Sequence, residues 1–350
     1  MVLSRTLAAP RTRSRAAWVV FPPLLLGVLT LSVMLGPVNI PAGTVWAVIG
    51  HRLGLGPAGD WTPAQEQIVW SLRLPRALLG AVVGAGLAVA GGVMQALVRN
   101  PLADPYLLGV SSGAATGAVL ALATGLFLFA GAYRVPLAAF LGALLSMALV
   151  FSLARHRTPA SPTRLVLSGV AVAALFGGLT SLITITADDR ELARSALNWL
   201  LGSLGGAGWP DVALAAPVVV LLTAGLTTQA RTLNALAFGD ETALTLGVPV
   251  ASYRRWLFVS VSLLAAVIVS VSGTIGFVGL ILPHVVRLLV EADHRAVLPL
   301  SALLGAVFLV GVDLLARMVW APTEVPIGVL TSLLGAPFFL WLLHRREARS

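Results

Sequence analysis

Cysteine and lysine are both absent from this 350-residue sequence, and only 11% of its residues are charged. Without cysteine the chain has no disulfide bond, thiolate metal ligand or redox dithiol. Without lysine it has no phosphate-binding loop of the G-x-x-x-x-G-K-S/T type, no Schiff base and no lysine general base. If ATP drives this protein, another polypeptide must therefore hydrolyse it.

Apolar residues dominate instead, at 58% of the chain, and the mean hydropathy is +0.94. A soluble domain carries about a quarter charged residues. The composition therefore predicts a polytopic, all-α integral membrane protein. The net charge of +9 lies in short loops between apolar runs, so it indicates membrane orientation and not nucleic-acid binding.

Apolar runs of helical length, separated by polar or Pro/Gly breaks, predict about ten transmembrane helices within a single domain, 1–350. The runs lie near 18–36, 77–98, 109–130, 135–154, 165–187, 210–230, 256–273, 276–290, 296–316 and 325–343. The eighth is short and contains Gly276, Gly279 and Pro283, which is typical of a helix that crosses only half of the membrane.

The arginines set the orientation of these helices. We expect residues 1–17 to be a cytoplasmic basic amino terminus, and the first apolar run to be a retained helix because it is long for a signal peptide. An inside amino terminus places the loop 155–164, the segment 231–255 and the tail 345–350 in the cytoplasm. Most of the arginines then lie on the cytoplasmic side, as the positive-inside rule requires.

Three connecting segments are long. Residues 37–72 are expected to form a polar outer loop. Residues 188–209 begin with the acidic helix-start signal Asp-Asp-Arg-Glu and continue as an amphipathic stretch, so they predict a short outer helix. Residues 231–255 carry apolar residues on both sides of Gly239, so they predict two short helices with a glycine hinge that bind a partner.

A series of motifs, in order along the chain, resembles one family of transporters. They are R-L-P-R (Arg73–Arg76), G-x-x-M-Q-A-L (Gly91–Leu97), N-P-L-A-D-P (Asn100–Pro105), L-G-V-S-S-G-A (Leu108–Ala114), G-x-L-G-G-A-G-W (Gly202–Trp209), F-G-D-E-T-A-x-x-L-G (Phe238–Gly247), G-T-I-G-F-V-G-L-I-L-P-H-V-V-R (Gly273–Arg287) and E-V-P-I-G-V-L-T-S-L-L-G-A-P-F-F (Glu324–Phe339). From about residue 15 to 345 the chain resembles the iron-chelate and vitamin B12 permeases of ABC importers, a FecCD-type family of type II importers.

The resemblance implies the ten-helix permease fold of type II ABC importers, in a homodimer with a pathway along the dimer axis. It also implies two copies of an ABC ATPase on the cytoplasmic side and a periplasmic or lipid-anchored substrate-binding protein outside. The permease itself is then a multi-pass protein of the cell inner membrane, in contact with lipid. The expected substrate is an iron complex, with a ferric siderophore ahead of haem or cobalamin. No catalytic residue, cofactor, resident metal or nucleic-acid partner is implied.

Carried over position by position, the resemblance implies three sets of site residues. Docking of the binding protein is assigned to Arg73, Arg76 and Arg317, since the guanidinium fork suits carboxylates. ATPase coupling is assigned to Leu236, Phe238, Gly239, Asp240, Glu241, Leu246 and Gly247. The inner gate is assigned to Asn100, Pro101, Leu102, Ser161, Pro162 and Thr163. A simpler alternative for the arginines is snorkelling at the membrane boundary or, for Arg317, pairing with Asp313 one turn earlier.

Other hypotheses rest on particular residues. An ion-coupled secondary transporter usually holds acidic or histidine residues at mid-membrane, and only Asp313 approaches such a position. A serine hydrolase hypothesis rests on Gly109–Gly113, a G-x-S-x-G match, but its two serines suit a helix cap better. His284 and His294 are expected to cap carbonyls or face water rather than to bind metal or haem.

Overall fold

Helices account for every regular element of the described chain. The computed structural model describes residues 10–57, 59–154, 162–187, 189–290 and 292–347. Its α-helices are α1 (Pro10–Met34), α2 (Ala42–Arg52), α3 (Pro63–Gln67), α4 (Leu74–Val98), α5 (Val110–Thr124), α6 (Arg134–Ala154), α7 (Pro162–Thr186), α8 (Arg190–Leu200), α9 (Trp209–Thr228), α10 (Ala230–Ala237), α11 (Asp240–Thr245), α12 (Val250–Ser272), α13 (Val278–Leu289), α14 (His294–Met318) and α15 (Ile327–Glu347). A π-helical turn, Ile68–Arg73, joins α3 to α4, and 3-10 helices at Pro105–Leu108 and Leu128–Tyr133 precede α5 and α6.

The prediction of about ten membrane helices is confirmed. In the described ranges, 7 helical stretches are long and apolar enough to cross a membrane, and they contain α1, α4, α6, α7, α9, α12 and α14. Three shorter apolar helices, α5, α13 and α15, occupy the remaining apolar runs. The segment before α9, which the sequence predicts to hold a short outer helix, contains α8, whose first turn is capped by the side chain of Asp189.

The segment 37–72 is mostly helical and is not the polar loop expected from the sequence. It contains α2, α3 and the π-helical turn. At the start of α3 the Thr62 hydroxyl accepts the N–H of Gln65, and the Gln65 side chain accepts the N–H of Thr62. This capping box, with Pro63 at the first helical position, is a strong helix-start signal. The helix that leads into Arg73 therefore begins well before the predicted membrane run.

α4 is the central helix of the bundle. It is apolar on all sides, as expected of a buried helix, and it packs against α14, α13, α9 and α12. The closest packing joins α4 to α14, where a Cβ on Gly84 would lie 2.1 Å from the carbonyl oxygen of Gly305. A Cβ on Gly305 would lie 2.2 Å from the carbonyl oxygen of Gly84. The two helix backbones are therefore in direct contact, as small residues in membrane helices permit.

α13 is too short to cross a membrane, as the sequence predicts. Its 12 residues extend over about 18 Å. Its first turn packs on the middle of α4, where a Cβ on Gly91 would lie 1.9 Å from the carbonyl oxygen of Gly279. The preceding residues, 273–277, are not helical. Irregular backbone at membrane depth is tolerated only where it is buried in protein or lines a cavity.

Gln95 of α4 supplies a hydrogen bond that α13 cannot make for itself. Pro283 has no N–H, so the carbonyl of Gly279, one turn earlier, lacks its helical donor. The Nε2 of Gln95 donates to the Gly279 oxygen at 3.2 Å and to the Leu280 oxygen at 3.1 Å. Its Oε1 accepts from Arg287 Nη1 at 2.6 Å. One side chain therefore binds the turns of α13 on both sides of its proline.

We expect Gln95→Leu to lower the free energy of unfolding by about 2 kcal/mol, because it leaves a buried carbonyl unpaired. The variant Pro283→Ala restores an N–H at position 283. In the double variant Gln95→Leu/Pro283→Ala the Gly279 carbonyl regains a donor from its own helix, so the loss should be smaller than in Gln95→Leu alone. Denaturant titration in mixed micelles measures all three variants, and losses that simply add would contradict this account.

α7 buries a narrow stripe and leaves a wide face open. Leu165, Val172 and Phe176 lie on the buried stripe, which packs on α5. Gly177 and Ser181 lie on the open face. A membrane helix with so little of its surface buried in its own chain is covered by lipid or by another chain.

Candidate docking and coupling sites

Five charged side chains meet where α1 ends, α4 begins and α14 ends. They are Arg73, Arg76, Asp313, Arg317 and Glu324, and we call them the outer charge cluster. The orientation predicted from the arginines places this end of the bundle outside. The cluster contains all three arginines to which the sequence analysis assigns docking of a binding protein.

Arg73 and Arg317 bind the carboxyl end of α1. Arg73 donates to the carbonyl oxygens of Val33 and Met34, at 2.9 and 3.0 Å. Arg317 donates to the carbonyl oxygen of Ser32 at 3.0 Å. These carbonyls have no partner inside the helix, and the carboxyl end of a helix attracts positive charge. Each arginine is only 8% exposed, so both are used to hold α1 in place.

Arg76 lies between two carboxylates. Its Nε and Nη2 contact Asp313 at 3.0 and 2.9 Å. Its Nη1 and Nη2 form a two-pronged contact with Glu324 at 3.0 and 2.9 Å. Asp313 also pairs with Arg317 at 3.2 Å, which is the pairing that the sequence left as an alternative. The Asp313 side chain is 1% exposed and that of Glu324 is 47% exposed, so Glu324 is the accessible end of the cluster.

The segment 231–255 holds the two short helices that the sequence predicts, α10 and α11, and we call it the coupling segment. Gly239 between them has φ +119° and Gly247 after them has φ +79°, conformations that favour glycine. Asp240 pairs with Arg254 of α12 at 2.8 Å. This ion pair fastens α11 to the next membrane helix, while Glu241 stays exposed.

Three large apolar side chains of the coupling segment are exposed. They are Phe238, Leu244 and Leu246, at 82%, 58% and 67% exposure, and we call them the apolar knob. Leu236, which the sequence also assigns to coupling, is 1% exposed and packs in the core of the bundle. Leu236 therefore anchors the segment, and the apolar knob is available to a partner.

A further contact joins the coupling segment to α14. The Oδ1 of Asn234 accepts hydrogen bonds from the backbone N and the ring Nδ1 of His294, at 3.0 and 2.6 Å. Its Nδ2 donates to Asp293 Oδ1 at 2.7 Å. Burial acts to raise the pKa of Asp293, but the hydrogen bonds from the Arg295 N–H and from Asn234 outweigh it, so the pKa is lowered.

Asn234 is not among the residues predicted from the sequence, and the expectation that His294 caps a carbonyl or faces water is wrong. His294 is only 4% exposed, and its ring bonds to a side-chain amide rather than to water or a carbonyl of the backbone. The one local signal for this contact is Asp293, which is a good residue type for the first position of a helix. Nothing in the local pattern indicates that Asn234, about 60 residues earlier, is its neighbour.

Three of the residues assigned to the inner gate, Asn100, Pro101 and Leu102, lie in the turn after α4. The Oδ1 of Asn100 accepts the N–H of Leu102 at 3.0 Å, which stabilises the turn after α4. Pro162 is the first residue of α7, and Thr163 follows it. Ser161 lies outside the described residues. Closure of the pathway at these positions stays a prediction.

A cavity of about 430 Å³ opens beside α7. Its hydroxyl-bearing lining residues are Tyr106, Ser111, Ser112, Thr180, Ser181 and Thr274. Both serines lie inside α5, whose N-cap is Gly109, so the expectation that they cap this helix is wrong. No histidine or carboxylate is among the lining residues, so nothing here activates a serine as in a hydrolase. Across the described ranges, no three His, Asp or Glu side chains converge to hold a metal ion.

One family model matches this sequence over nearly its whole length. Residues 24–345 match the FecCD transport family. The chain belongs to this family. The resemblance predicted from the motifs is confirmed, and this FecCD protein is a multi-pass membrane permease of the ABC importers.

Relatives of this FecCD permease and one solved structure agree with that assignment. The cobalamin import system permease protein BtuC of Halobacterium salinarum is 49% identical over 285 residues, which cover 81% of this chain and 75% of the relative. The hemin transport system permease protein HmuU of Yersinia pestis is 41% identical over 341 residues, 94% of this chain and 98% of the relative. The structure of a metal-chelate type ABC transporter in an inward-facing conformation matches with a TM-score of 0.82 and 32% identity, covering 95% of this chain and 99% of that one.

Proposed function

We propose that this FecCD permease works as a homodimer in the cytoplasmic membrane, with two copies of a separate ATPase bound on the side of the coupling segment. A substrate-binding protein delivers the cargo on the side of the outer charge cluster. The permease hydrolyses no ATP itself and provides the passage and the surfaces that its partners bind. ATP binding and hydrolysis move the coupling segment, and this movement opens the passage to the inside.

The observation that carries the proposal is the apolar knob. Phe238 and Leu246 are exposed on a segment that is anchored by the buried side chain of Leu236 and by the Asp240–Arg254 ion pair. Large apolar side chains on a fixed support at the aqueous end of a bundle mark a protein interface. An ATPase cleft fits this surface, because a firmly held knob transmits force in both directions.

A second copy of the chain is the proposed cover for the open face of α7. Gly177 and Ser181 border the cavity beside α7 on this face, and glycine lets another membrane helix approach closely. Two copies that meet along α7 would place these cavities on either side of a shared axis. The resulting passage would be lined by apolar surface and hydroxyl groups without fixed charge, which suits a bulky chelate handed over by another protein.

The outer charge cluster supports docking of the binding protein at Arg76 in particular. Arg73 and Arg317 use their donors on α1, whereas Arg76 is bound to the accessible Glu324. A carboxylate of the binding protein can replace Glu324 on the Arg76 fork, because the exchange preserves the number of charge-assisted hydrogen bonds. Arg73 and Arg317 then act by holding the cluster in position.

The proposed cargo is a metal chelate. The relatives named for cobalamin and hemin, at 49% and 41% identity, favour a corrinoid or a porphyrin over the ferric siderophore that the sequence alone places first. An ion-coupled carrier has less support. Asp313, the carboxylate on which that hypothesis depends, is engaged by Arg76 and Arg317 and is not open to an ion pathway.

The double variant Phe238→Asp/Leu246→Asp tests the ATPase surface. We expect it to abolish copurification of the ATPase, because burying two unpaired carboxylates in an apolar interface is costly. Chelate uptake into proteoliposomes that contain permease, ATPase and binding protein should fall to background, while the permease still reaches the membrane. The matched control is Leu55→Asp, a leucine 81% exposed at the opposite end of the bundle, which should leave copurification and uptake unchanged.

Uptake at the parent rate by the double variant would contradict the assignment of the apolar knob to the ATPase. Cobalamin, haem and a ferric siderophore are tested in parallel, and the cargo is the chelate that raises ATP hydrolysis in the complete assembly. Uptake that follows a proton or sodium gradient without the ATPase would instead establish a carrier.

A further inference from the structure

The coupling segment contacts two membrane helices that are not its neighbours in sequence. α9 and α12 are its neighbours in sequence, so movement passes to them directly. α10 also packs on α4 and α14, and its Asn234 bonds to the first residues of α14. We propose that Asn234, Asp293 and His294 form a joint that passes movement of the coupling segment to α14. This inference rests on the proposed function.

The hydrogen bonds of the joint have a single consistent arrangement. A backbone N–H only donates, so the Asn234 atom 3.0 Å from the His294 N is the carbonyl Oδ1. The Asp293 carboxylate accepts, so the Asn234 atom 2.7 Å from it is Nδ2. Because Oδ1 accepts, the ring Nδ1 of His294, 2.6 Å away, carries a proton. A flipped amide would lose the bonds to the His294 N–H and to Asp293, so the joint fixes the orientation of α10 on α14.

The joint lies on the amino end of α14, where backbone N–H groups have no partner within the helix. Asp293 Oδ1 accepts the N–H of Arg295 at 2.9 Å, and Asn234 accepts the N–H of His294. His294 is almost fully buried, and hydrogen bonds shielded from water are stronger than exposed ones. The amino end of α14 is therefore held by a residue of the coupling segment, and the two move together.

α14 can carry this movement across the whole bundle. It is a continuous helix of 25 residues, about 37 Å long. Midway its backbone touches α4 at the Gly84–Gly305 contact. Its far end carries Asp313 and Arg317 of the outer charge cluster. A shift of α14 at the joint therefore changes the hydrogen bonds between Asp313 and Arg76, where we place the binding protein. The movement reaches Arg76 through α14 itself and not through the loops that follow the coupling segment.

The test compares the complete reconstituted importer with parent permease and with Asn234→Leu, a substitution of similar size that removes all three bonds. We expect the ATPase to copurify as before, and the chelate moved per ATP hydrolysed to fall about tenfold, a size typical of coupling between distant sites. The control Arg15→Gln changes an exposed side chain near the start of α1, outside the coupling segment, and should keep the parent ratio. His294→Phe removes only the ring donor, so the chelate moved per ATP hydrolysed should fall less than in Asn234→Leu. If Asn234→Leu does not reach the membrane, His294→Phe is compared with the parent in its place.

A distance measurement separates transmission from stability. Because the chain has no cysteine, cysteines introduced at Phe129 and Met318, both exposed at the outer end, can be spin-labelled without background. ATP should change the distance between the labels in the parent complex and leave it unchanged in Asn234→Leu.

Three results would count against the joint. A parent complex that does not import refutes the proposed function, and the joint with it. If the parent imports, and Asn234→Leu equals it in chelate moved per ATP and in the ATP-dependent distance change, the joint alone is refuted. Loss of the ATPase from Asn234→Leu would also refute it, because Asn234 would then act in docking and not in transmission.

Discussion

Gly91→Ala is expected to lower the free energy of unfolding by about 3 kcal/mol, the upper range for overpacking in a tight core. The added Cβ would lie 1.9 Å from the carbonyl oxygen of Gly279 and 2.5 Å from its Cα. Both are backbone atoms of α13, so no side chain can rotate to make room. α13 would have to move away from α4, and the hydrogen bonds from Gln95 that hold it would be lost as well. Titration with a denaturing detergent in mixed micelles measures the loss.

The control for this substitution is Gly225→Ala in α9. No atom lies within 4 Å of the position that its Cβ would take. Alanine is favoured over glycine within a helix by about 0.5 to 1 kcal/mol, so this variant should be as stable as the parent or slightly more stable. Equal behaviour of the two alanine variants would mean that α4 and α13 are not in backbone contact.

Arg76→Met is expected to destabilise the permease by about 3 kcal/mol, because it leaves a buried carboxylate with one of its two cations. Methionine keeps the apolar stem of arginine and lacks its guanidinium, so the loss reports mainly the charge and its hydrogen bonds. The carboxylate is Asp313, 1% exposed, with Arg317 as its remaining partner. Arg76→Met already removes one partner of Asp313, so adding Asp313→Asn should cost less stability in that background than in the parent, and the same detergent titration measures the single and double variants.

Glu324→Gln is the matched control at the accessible end of the outer charge cluster. Its side chain is 47% exposed, and exposed ion pairs contribute about 0 to 1 kcal/mol. It should therefore change stability little, while freeing the Arg76 fork for a carboxylate of the binding protein. A loss in Glu324→Gln as large as that in Arg76→Met would show that the stabilising partner of Arg76 is Glu324 and not Asp313.

Features that depend on local sequence could be predicted well. The membrane helices follow from the length of the apolar runs, and the half-length of α13 follows from its glycines and Pro283. The hinge of the coupling segment follows from Gly239 between two short apolar stretches. Helix α3 could have been found too, because Thr62 and Gln65 form a capping box, with Pro63 at the first helical position, that is visible in the sequence.

Features that depend on contacts distant in sequence could not be predicted. Arg73 looks like a boundary arginine, and its sequence context does not reveal that the carbonyl oxygens of Val33 and Met34, about 40 residues earlier, are its acceptors. The same holds for Asn234 and His294. Polar side chains of this kind bond to whatever the packing of helices brings near them, and that packing is fixed by the bundle as a whole. Motif resemblance located the charged positions, but the structure was needed to separate Arg76, with its accessible partner, from the two arginines that hold α1.

The apolar knob has a practical consequence for work with the isolated subunit. Detergent covers the apolar surface of the membrane-spanning helices. Phe238, Leu244 and Leu246 lie on the coupling segment, outside these helices. A permease expressed without its partners therefore exposes the apolar knob to water, and we expect such samples to self-associate. Co-expression with the subunit that covers the apolar knob should give uniform particles.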